Sequence, residues 1–467
     1  MMTPLVEKYN VPGPRYTSYP TVPYWDTFDF TTAGWKESLI RGLRFRESVN
    51  HHDHSQQHPL KVTEISLYIH LPFCESMCTF CGCTKRITKN HAVEIPYIKA
   101  LLKELVMYRD ILGHRPVIQQ LHLGGGTPTF FSVENLENLL TGIFEIANIA
   151  SQREFSFEGH PNNTTVEHLK MFYRNGFTRV CYGVQDYNEK VQQAINRIQP
   201  FEHVERATAQ ARSVGYTSIG HDVIYGLPFQ QLEDVIHTVH RTIELMPDRI
   251  AFYSYAHVPW IKGNGQRGYS EEHLPDPQEK RAQYEKGKEM LLKAGYQEIG
   301  MDHFALKTDA LYLAQFNHTI HRNFMGYTVS KTDVMIGLGV SAIGDSWYGF
   351  AQNVKTLKEY YEKLRNNELP VMRGHVLNDE DLVVRKHILN LMCHFKTSWD
   401  TQDLQLPQIQ TIIENLSEMM TDKLITTGDY SLEITDAGKP FLRNVCLPFD
   451  LRLQRKKPDT RIFSMTV

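Results

Sequence analysis

An excess of positive charge is missing from this chain: 50 Lys and Arg stand against 53 Asp and Glu, a formal net charge of -3. That balance leaves no electrostatic footprint for nucleic acid, and the Arg455-Lys456-Lys457 run is too short to create one. Uninterrupted apolar runs long enough to span a bilayer are also missing, so no membrane span is expected. The opening residues lack a charged segment followed by an apolar one, so no secretory signal is expected and a reducing cytoplasm is the expected compartment. Seven cysteines, an odd count in a long chain, speak against a disulfide framework. No Ser-His-Asp or paired-carboxylate constellation stands out.

The cysteines that are present are concentrated. Cys74, Cys78, Cys81 and Cys83 fall within ten residues, with three residues between the first two and two between the next. Thiolates are the usual ligands of iron–sulfur clusters, and this spacing can wrap one face of a cube. A full set is four; three would leave one iron open to bind a small molecule and pass it an electron. Structural zinc is the competing reading, but it normally needs a second cysteine pair or histidines at a distance. Here Cys181, Cys393 and Cys446 are scattered singly and read as small buried hydrophobes.

Six β-rich runs, at 64–70, 118–123, 154–158, 178–184, 217–225 and 249–256, alternate with amphipathic segments at 96–112, 132–150, 166–175, 201–214 and 232–245. This alternation predicts a parallel α/β architecture, a partial (β/α)6 barrel of the TIM type, with a doubly wound open sheet as the alternative. In either, ligands gather at the C-terminal ends of the strands. The cysteine segment follows the first run, and Gly124-Gly125-Gly126-Thr127-Pro128-Thr129 follows the second, where glycines let backbone N–H groups approach a ligand. Glu158, Gln185-Asp186, Asp222 and Tyr255 are further strand-end polar groups, so a pocket is expected there. Residues 1–60 are expected to be an N-terminal arm and substrate-contacting segment, extended and rich in Pro and Tyr at 12–20. The His51-His52-Asp53-His54 tract, with His58, reads as a solvated loop. Residues 61–365 make the predicted catalytic domain. From 366 to 467 a smaller, mainly helical domain is expected, with helices at 379–395 and 408–422 and a hairpin at 424–434, in the manner of a winged helix serving as a lid or docking surface.

Cys-x3-Cys-x2-Cys after one strand and Gly-Gly-Gly-Thr-Pro-Thr after the next resemble the radical S-adenosylmethionine (SAM) superfamily. Within it, Pro14-Arg-Tyr-Thr-Ser-Tyr-Pro20, Cys81-Gly-Cys83, Tyr182-Gly-Val-Gln-Asp186, Asp222-Val-Ile-Tyr-Gly-Leu-Pro228, Tyr255-Ala-His-Val-Pro259, Gly300-Met-Asp-His-Phe304, His321-Arg-Asn-Phe324 and Gly337 to Ile343 are similar to the oxygen-independent coproporphyrinogen III oxidases. The resemblance implies that Cys74, Cys78 and Cys81 hold one [4Fe–4S] cluster and leave Cys83 uncoordinated. It implies that the open iron takes SAM, whose reductive cleavage to methionine and a 5′-deoxyadenosyl radical starts the removal of two propionate carboxyl groups from coproporphyrinogen III. Protoporphyrinogen IX is the implied product. Tyr68, Gly125, Glu158 and Ile343 are implied contacts of the cluster-bound SAM; Phe80, Gly126, Thr127, Gln185, Arg197, Asp222 and Ala256 are implied contacts of a second SAM.

Two departures from the family pattern are visible. Glu158-Gly159-His160-Pro161 stands where Glu-Val-Asp-Pro is common, and Leu306 stands where an arginine able to bind a substrate carboxylate is common. The implied partners are the porphyrinogen and an electron donor and acceptor that the sequence does not identify, with the chain a monomer. The rival functions are a haem chaperone and a haem-modifying radical enzyme.

Overall fold

Alternation of two residue classes builds the central sheet. Along the first strand Ile65, Leu67 and Ile69 are fully buried in the main core, while Ser66, Tyr68 and His70 take the other face. A period of two in an extended chain makes this division. The computed structural model describes residues 2–49, 64–259, 265–266, 268–460 and 462–466; the His51–His58 tract lies outside the described residues. Six strands, β1 (Glu64–Leu71), β2 (Val117–Gly125), β3 (Asn148–Gly159), β4 (Phe177–Gln185), β5 (Ser218–Tyr225) and β6 (Arg249–Ser254), pair in parallel in chain order. Helices Glu94–Leu112, Val133–Ile146, Val166–Arg174, Phe201–Val214 and Leu232–Glu244 connect them. Each offers an apolar stripe to the outer face of the sheet, as Leu101, Leu139, Phe172 and Ala211 show. The result is the partial barrel expected from the alternation.

The sheet is wider than the sequence predicted. β7 (Gln297–Gly300), β8 (His303–Ala305), β9 (Met335–Leu338), β10 (Ile343–Asp345), β11 (Gly349–Asn353) and β12 (Val371–Val376) extend it to twelve strands, in the order β12-β11-β10-β9-β1-β2-β3-β4-β5-β6-β8-β7. β9 is a seventh parallel strand, against β1, and the outer strands are antiparallel. The order does not close on itself, so the barrel stays open. These additions are short and interrupted by glycines, which kept them below the reach of a pattern read over longer windows. The helix expected over 132–150 ends at Ile146, and Asn148 begins β3 by donating to the Pro116 carbonyl (2.8 Å).

The expected arm at 12–20 lies between two helices, Met2–Tyr9 and Thr32–Val49, that were not foreseen. Tyr9, Tyr16 and Tyr19 are buried with Val384, Ile388, Cys446 and Phe449 from the far end of the chain. Trp25 stacks on Phe350 at 5.3 Å, and Trp35 enters the main core, where its indole donates to the Tyr108 hydroxyl (3.2 Å). Beyond residue 376, helix Asp379–His394 is followed by two short helices, Ile409–Glu414 and Ser417–Thr421, where one was predicted. Ile425–Gly428 and Ser431–Ile434 form the expected hairpin, and Lys396–Ser398 adds a third strand. Cys393 and Cys446 are buried thiols, as expected. Among the described residues no helix is long and apolar enough to cross a membrane.

A clasp at Asp381 ties these parts together. Its carboxylate accepts from Arg452 Nε and Nη2 (2.7 and 2.8 Å) and lies 3.1 Å from His375 Nε2, while His375 Nδ1 accepts from the Asp26 amide (3.2 Å). Burial works against the charge, yet the hydrogen bonds from His375 and Arg452 hold the carboxyl down at about 2. Asp381 also closes the capping box of its own helix with Asn378. Asp381→Ala strands the Arg452 charge and opens the cap, so a loss of roughly 3 kcal/mol is expected. Urea denaturation midpoints measure it, with Asp381→Asn falling between the two.

Candidate functional site

The cysteine loop leaves the end of β1 and returns beside it. Phe73–Cys74 pairs in parallel with Arg86–Ile87, through Arg86 N–H to Pro72 O (2.7 Å) and Thr88 N–H to Cys74 O (2.9 Å). The glycine turn at the end of β2 is sewn to the same segment by Gly126 N–H to Leu71 O (2.8 Å) and Thr127 N–H to Phe73 O (3.0 Å). Approach is so close that a Cβ on Gly126 would lie 2.7 Å from the Pro72 carbonyl carbon. Gly125 adopts φ +107°, a left-handed conformation that L side chains avoid. A cavity of about 370 Å3 opens above the strand ends. Of the residues implied to hold the cluster or SAM, all line it except Tyr68, Ile343 and Ala256.

Those three sit close behind. Tyr68, half-buried, reaches His70 Nδ1 with its hydroxyl (3.1 Å) and stacks on the His122 ring at 6.0 Å. Gly337 is the register partner of Tyr68, and the Ile343 backbone packs against Gly337. Ala256 is joined to the cysteine loop through Gln266, whose Nε2 donates to both Ala256 O (3.0 Å) and Phe80 O (3.1 Å).

Polar contacts arrange the sulfurs. Thr127 Oγ1 donates to Cys74 Sγ (3.5 Å), and Arg197 Nη1 donates to Cys78 Sγ (3.7 Å) while its Nη2 holds Gly183 O (2.6 Å). Arg197 Nε is buried with no hydrogen-bond partner among the described residues. Burial pushes the Cys74 thiol up to about 11. A hydrogen bond from Cys83 lowers Cys81, and the same contact raises Cys83. Lys85 Nζ donates to the carbonyls of Cys81 (2.9 Å) and Cys83 (3.4 Å). Among the described residues no three His, Cys, Asp or Glu converge on one point as a single metal ion demands. A cube makes no such demand, because each thiolate binds a different iron.

On the opposite wall, Glu158 accepts from the Gly125 amide (3.1 Å) and faces His122 Nε2 (3.4 Å), with 46% of its side chain open to the cavity. Burial would raise its carboxyl, but His122 and the Gly125 N–H outweigh that and leave it below the ordinary range. Burial lifts Asp222 to about 6, and Cys181 Sγ donates to its Oδ1 (3.2 Å). Cys181 thus lines the cavity and is not the isolated buried hydrophobe expected. His160 lies there too, its imidazole driven down to about 3 by burial and by Arg197.

Three further sequence expectations change. Asp186 does not face the cavity: it is fully buried and accepts from Gln230 Nε2 (2.7 Å), Thr238 Oγ1 (3.1 Å) and the Asn188 amide (2.6 Å). Tyr255 is likewise turned away, with its hydroxyl 2.5 Å from that of Tyr269. Leu306 donates its amide to Asp248 O, before the start of β6 and thus at the rim opposite the cavity, and packs with Tyr296 and Phe304. Its departure from the family pattern therefore does not alter the pocket. His122 and Cys181 were missed. Both occupy alternate positions of runs such as Gln120-x-His122-x-Gly124 and Arg179-x-Cys181-x-Gly183, a period-two signal that could have found them.

Known proteins resemble this chain along its length. Residues 68–242 match the Radical SAM superfamily. The oxygen-independent coproporphyrinogen III oxidase of Helicobacter pylori strain J99 is 37% identical over 454 residues, 96% of each chain. That of Escherichia coli K12 is 35% identical over 466 residues, covering 97% of this chain and 95% of the relative. The solved structure of the Escherichia coli coproporphyrinogen III oxidase, described as a radical SAM enzyme, superposes with a TM-score of 0.84 at 33% identity, over 93% of this chain and 97% of that one. With likeness at this level sustained from one end to the other, the chain belongs to the oxygen-independent coproporphyrinogen III oxidases of the radical SAM superfamily.

Proposed function

We propose that the cavity at the strand ends is where this chain performs the family's reaction, oxidative decarboxylation of two propionates of coproporphyrinogen III to the vinyl groups of protoporphyrinogen IX. The observation that carries it is the meeting of three thiols from one loop with the glycine turn and Glu158 around one space. Membership of the superfamily implies a [4Fe–4S] cluster and SAM. The donor set fits such a cluster: Cys74, Cys78 and Cys81 are free thiols on one loop, and Thr127 and Arg197 already donate to two of the sulfurs. Cys83, a free thiol hydrogen-bonded to Cys81, is left outside the proposed ligand set. When bound, the cluster and SAM supply the one-electron chemistry that removes a hydrogen atom from the substrate.

The chain's own residues then bind and orient. Glu158, fixed as a carboxylate, and the Gly125 backbone offer an acceptor and a close approach to the ammonium and carboxylate of a cluster-bound SAM, with Tyr68 and Ile343 behind them. Phe80, Gly126, Thr127, Gln185, Arg197, Asp222 and Ala256 surround room for a second SAM, where Arg197 would pair with a carboxylate and Asp222 with hydroxyls or an ammonium. No general base is required of them. We read residues 61–365 as the catalytic unit, 1–60 as an arm that contacts the substrate and 366–467 as a lid or docking surface, with the protein a cytoplasmic monomer that takes electrons from a separate donor and passes those left by decarboxylation to a separate acceptor. The relatives at 34–37% identity are named as oxidases, which favours this reading over a haem chaperone.

Reconstituted protein incubated anaerobically with reductant, SAM and coproporphyrinogen III should release CO2 and form protoporphyrinogen; tight haem binding without turnover would sink the oxidase reading. Cys78→Ser should abolish the iron–sulfur absorbance and SAM cleavage together, whereas Cys83→Ser should keep the absorbance.

Asp222 provides a test of opposite signs. Its folded value of about 6 lies above the unfolded one. The carboxylate therefore costs nothing while protonated in both states, and its cost appears as pH rises from the ordinary Asp range through 6. Asp222→Asn should raise the thermal midpoint of the cofactor-free protein at pH 7 and leave it unchanged near pH 3.5, while weakening SAM binding in equilibrium dialysis. A variant that loses stability and binding together would contradict this assignment.

A further inference from the structure

Glu158 does not set its own orientation. Its Oε2 is held by the Gly125 amide at 3.1 Å, and its Oε1 faces His122 Nε2 at 3.4 Å. What His122 can offer is decided one layer deeper. Arg179 Nη2 donates to Ser156 Oγ (2.8 Å), and a guanidinium has nothing but donors. Ser156 therefore accepts from Arg179, which frees its own O–H for the one other partner in reach among the described residues, His122 Nδ1 at 2.8 Å. With Nδ1 accepting, the one proton of a neutral imidazole sits on Nε2 and points at Glu158. Arg179 is in turn anchored by Glu154 (Nε to Oε1, 3.0 Å), which lies 3.6 Å from Arg249, and Arg249 donates to the buried Asp309 (2.7 Å).

We propose that His122 is a positioning residue for SAM: through a tautomer fixed by Ser156 and Arg179, it holds the Glu158 carboxylate in the orientation that receives the SAM ammonium. This rests on the assignment of Glu158 to SAM made above. A contact of this kind strengthens the acceptor without touching the reacting atoms, as partners behind metal ligands do for the ligands themselves. The bland alternative is that His122 is a flat ring filling space beside Tyr68, on which it stacks.

The two accounts part at two substitutions of the cluster-loaded enzyme. His122→Gln keeps an N–H donor near the Nε2 position, whereas His122→Phe keeps the flat ring and has no donor. SAM affinity is measured anaerobically by equilibrium dialysis, with the iron–sulfur absorbance confirming that each variant is loaded. His122→Phe and His122→Ala should weaken binding about tenfold, the scale of one hydrogen bond to a charged group, and His122→Gln should stay within about threefold of the parent. The inference is overturned if Gln binds no more tightly than Phe. Glu158→Gln separates the two levels: unchanged affinity there removes the Glu158 assignment itself, while a loss there with full affinity in His122→Phe removes only the role of His122.

Discussion

Polar groups facing the inside of a barrel must satisfy one another, because water cannot reach most of them and an unpaired group costs about as much as a hydrogen bond is worth. This constraint shapes the inner face of the sheet. The inward positions of β1 to β4 carry Ser66, Tyr68 and His70, then Gln120 and His122, then Glu154, Ser156 and Glu158, then Arg179 and Cys181. Parallel pairing sets Gln120 beside Glu154, His122 beside Ser156 and Glu158 beside Cys181. Pairing therefore brings donors and acceptors of successive strands into the same layers. Side chains at the cavity inherit their orientation from layers below them, and the outer faces are left free to be largely apolar against the helices.

The second element is backbone. A glycine turn pressed against the root of the cysteine loop fixes where the thiols start, and side chains from other strands then reach in to the sulfurs. Arg197 spans the gap between Cys78 and the Gly183 carbonyl, so one residue couples the cysteine loop to the end of β4. Opposed charges at Arg197 and Glu158 give the cavity walls of different character, suited to a ligand that carries both an ammonium and a carboxylate.

Much of this was legible in the sequence, and the limits have physical causes. Cys74 to Cys83 and Gly124 to Gly126 could be found because their chemistry is local: spacing along the chain is spacing in the loop. β1 to β6 could be found because their outer faces repeat with period two. The inner polar rows escaped because Ser156 or His122 alone looks like any half-buried residue, and only pairing across strands gives it a partner. Asp186 misled for the same reason, since a strand-end carboxylate reads alike whether it faces a ligand or caps its own loop. Leu306 could not be assigned to a rim until the direction of β8, antiparallel to β6, was known. The packing of Tyr16 and Tyr19 against Cys446 and Phe449 joins residues more than 400 positions apart, beyond any local pattern.

The short pairing of Phe73–Cys74 with Arg86–Ile87 has a consequence for how the loop meets its cargo. It draws the loop shut at its neck, so residues 75–85 are a tethered ring in the folded protein. Closing a loop is an entropic cost, and here it is borne by folding. Within the ring the thiols are thereby held at high effective concentration toward one another.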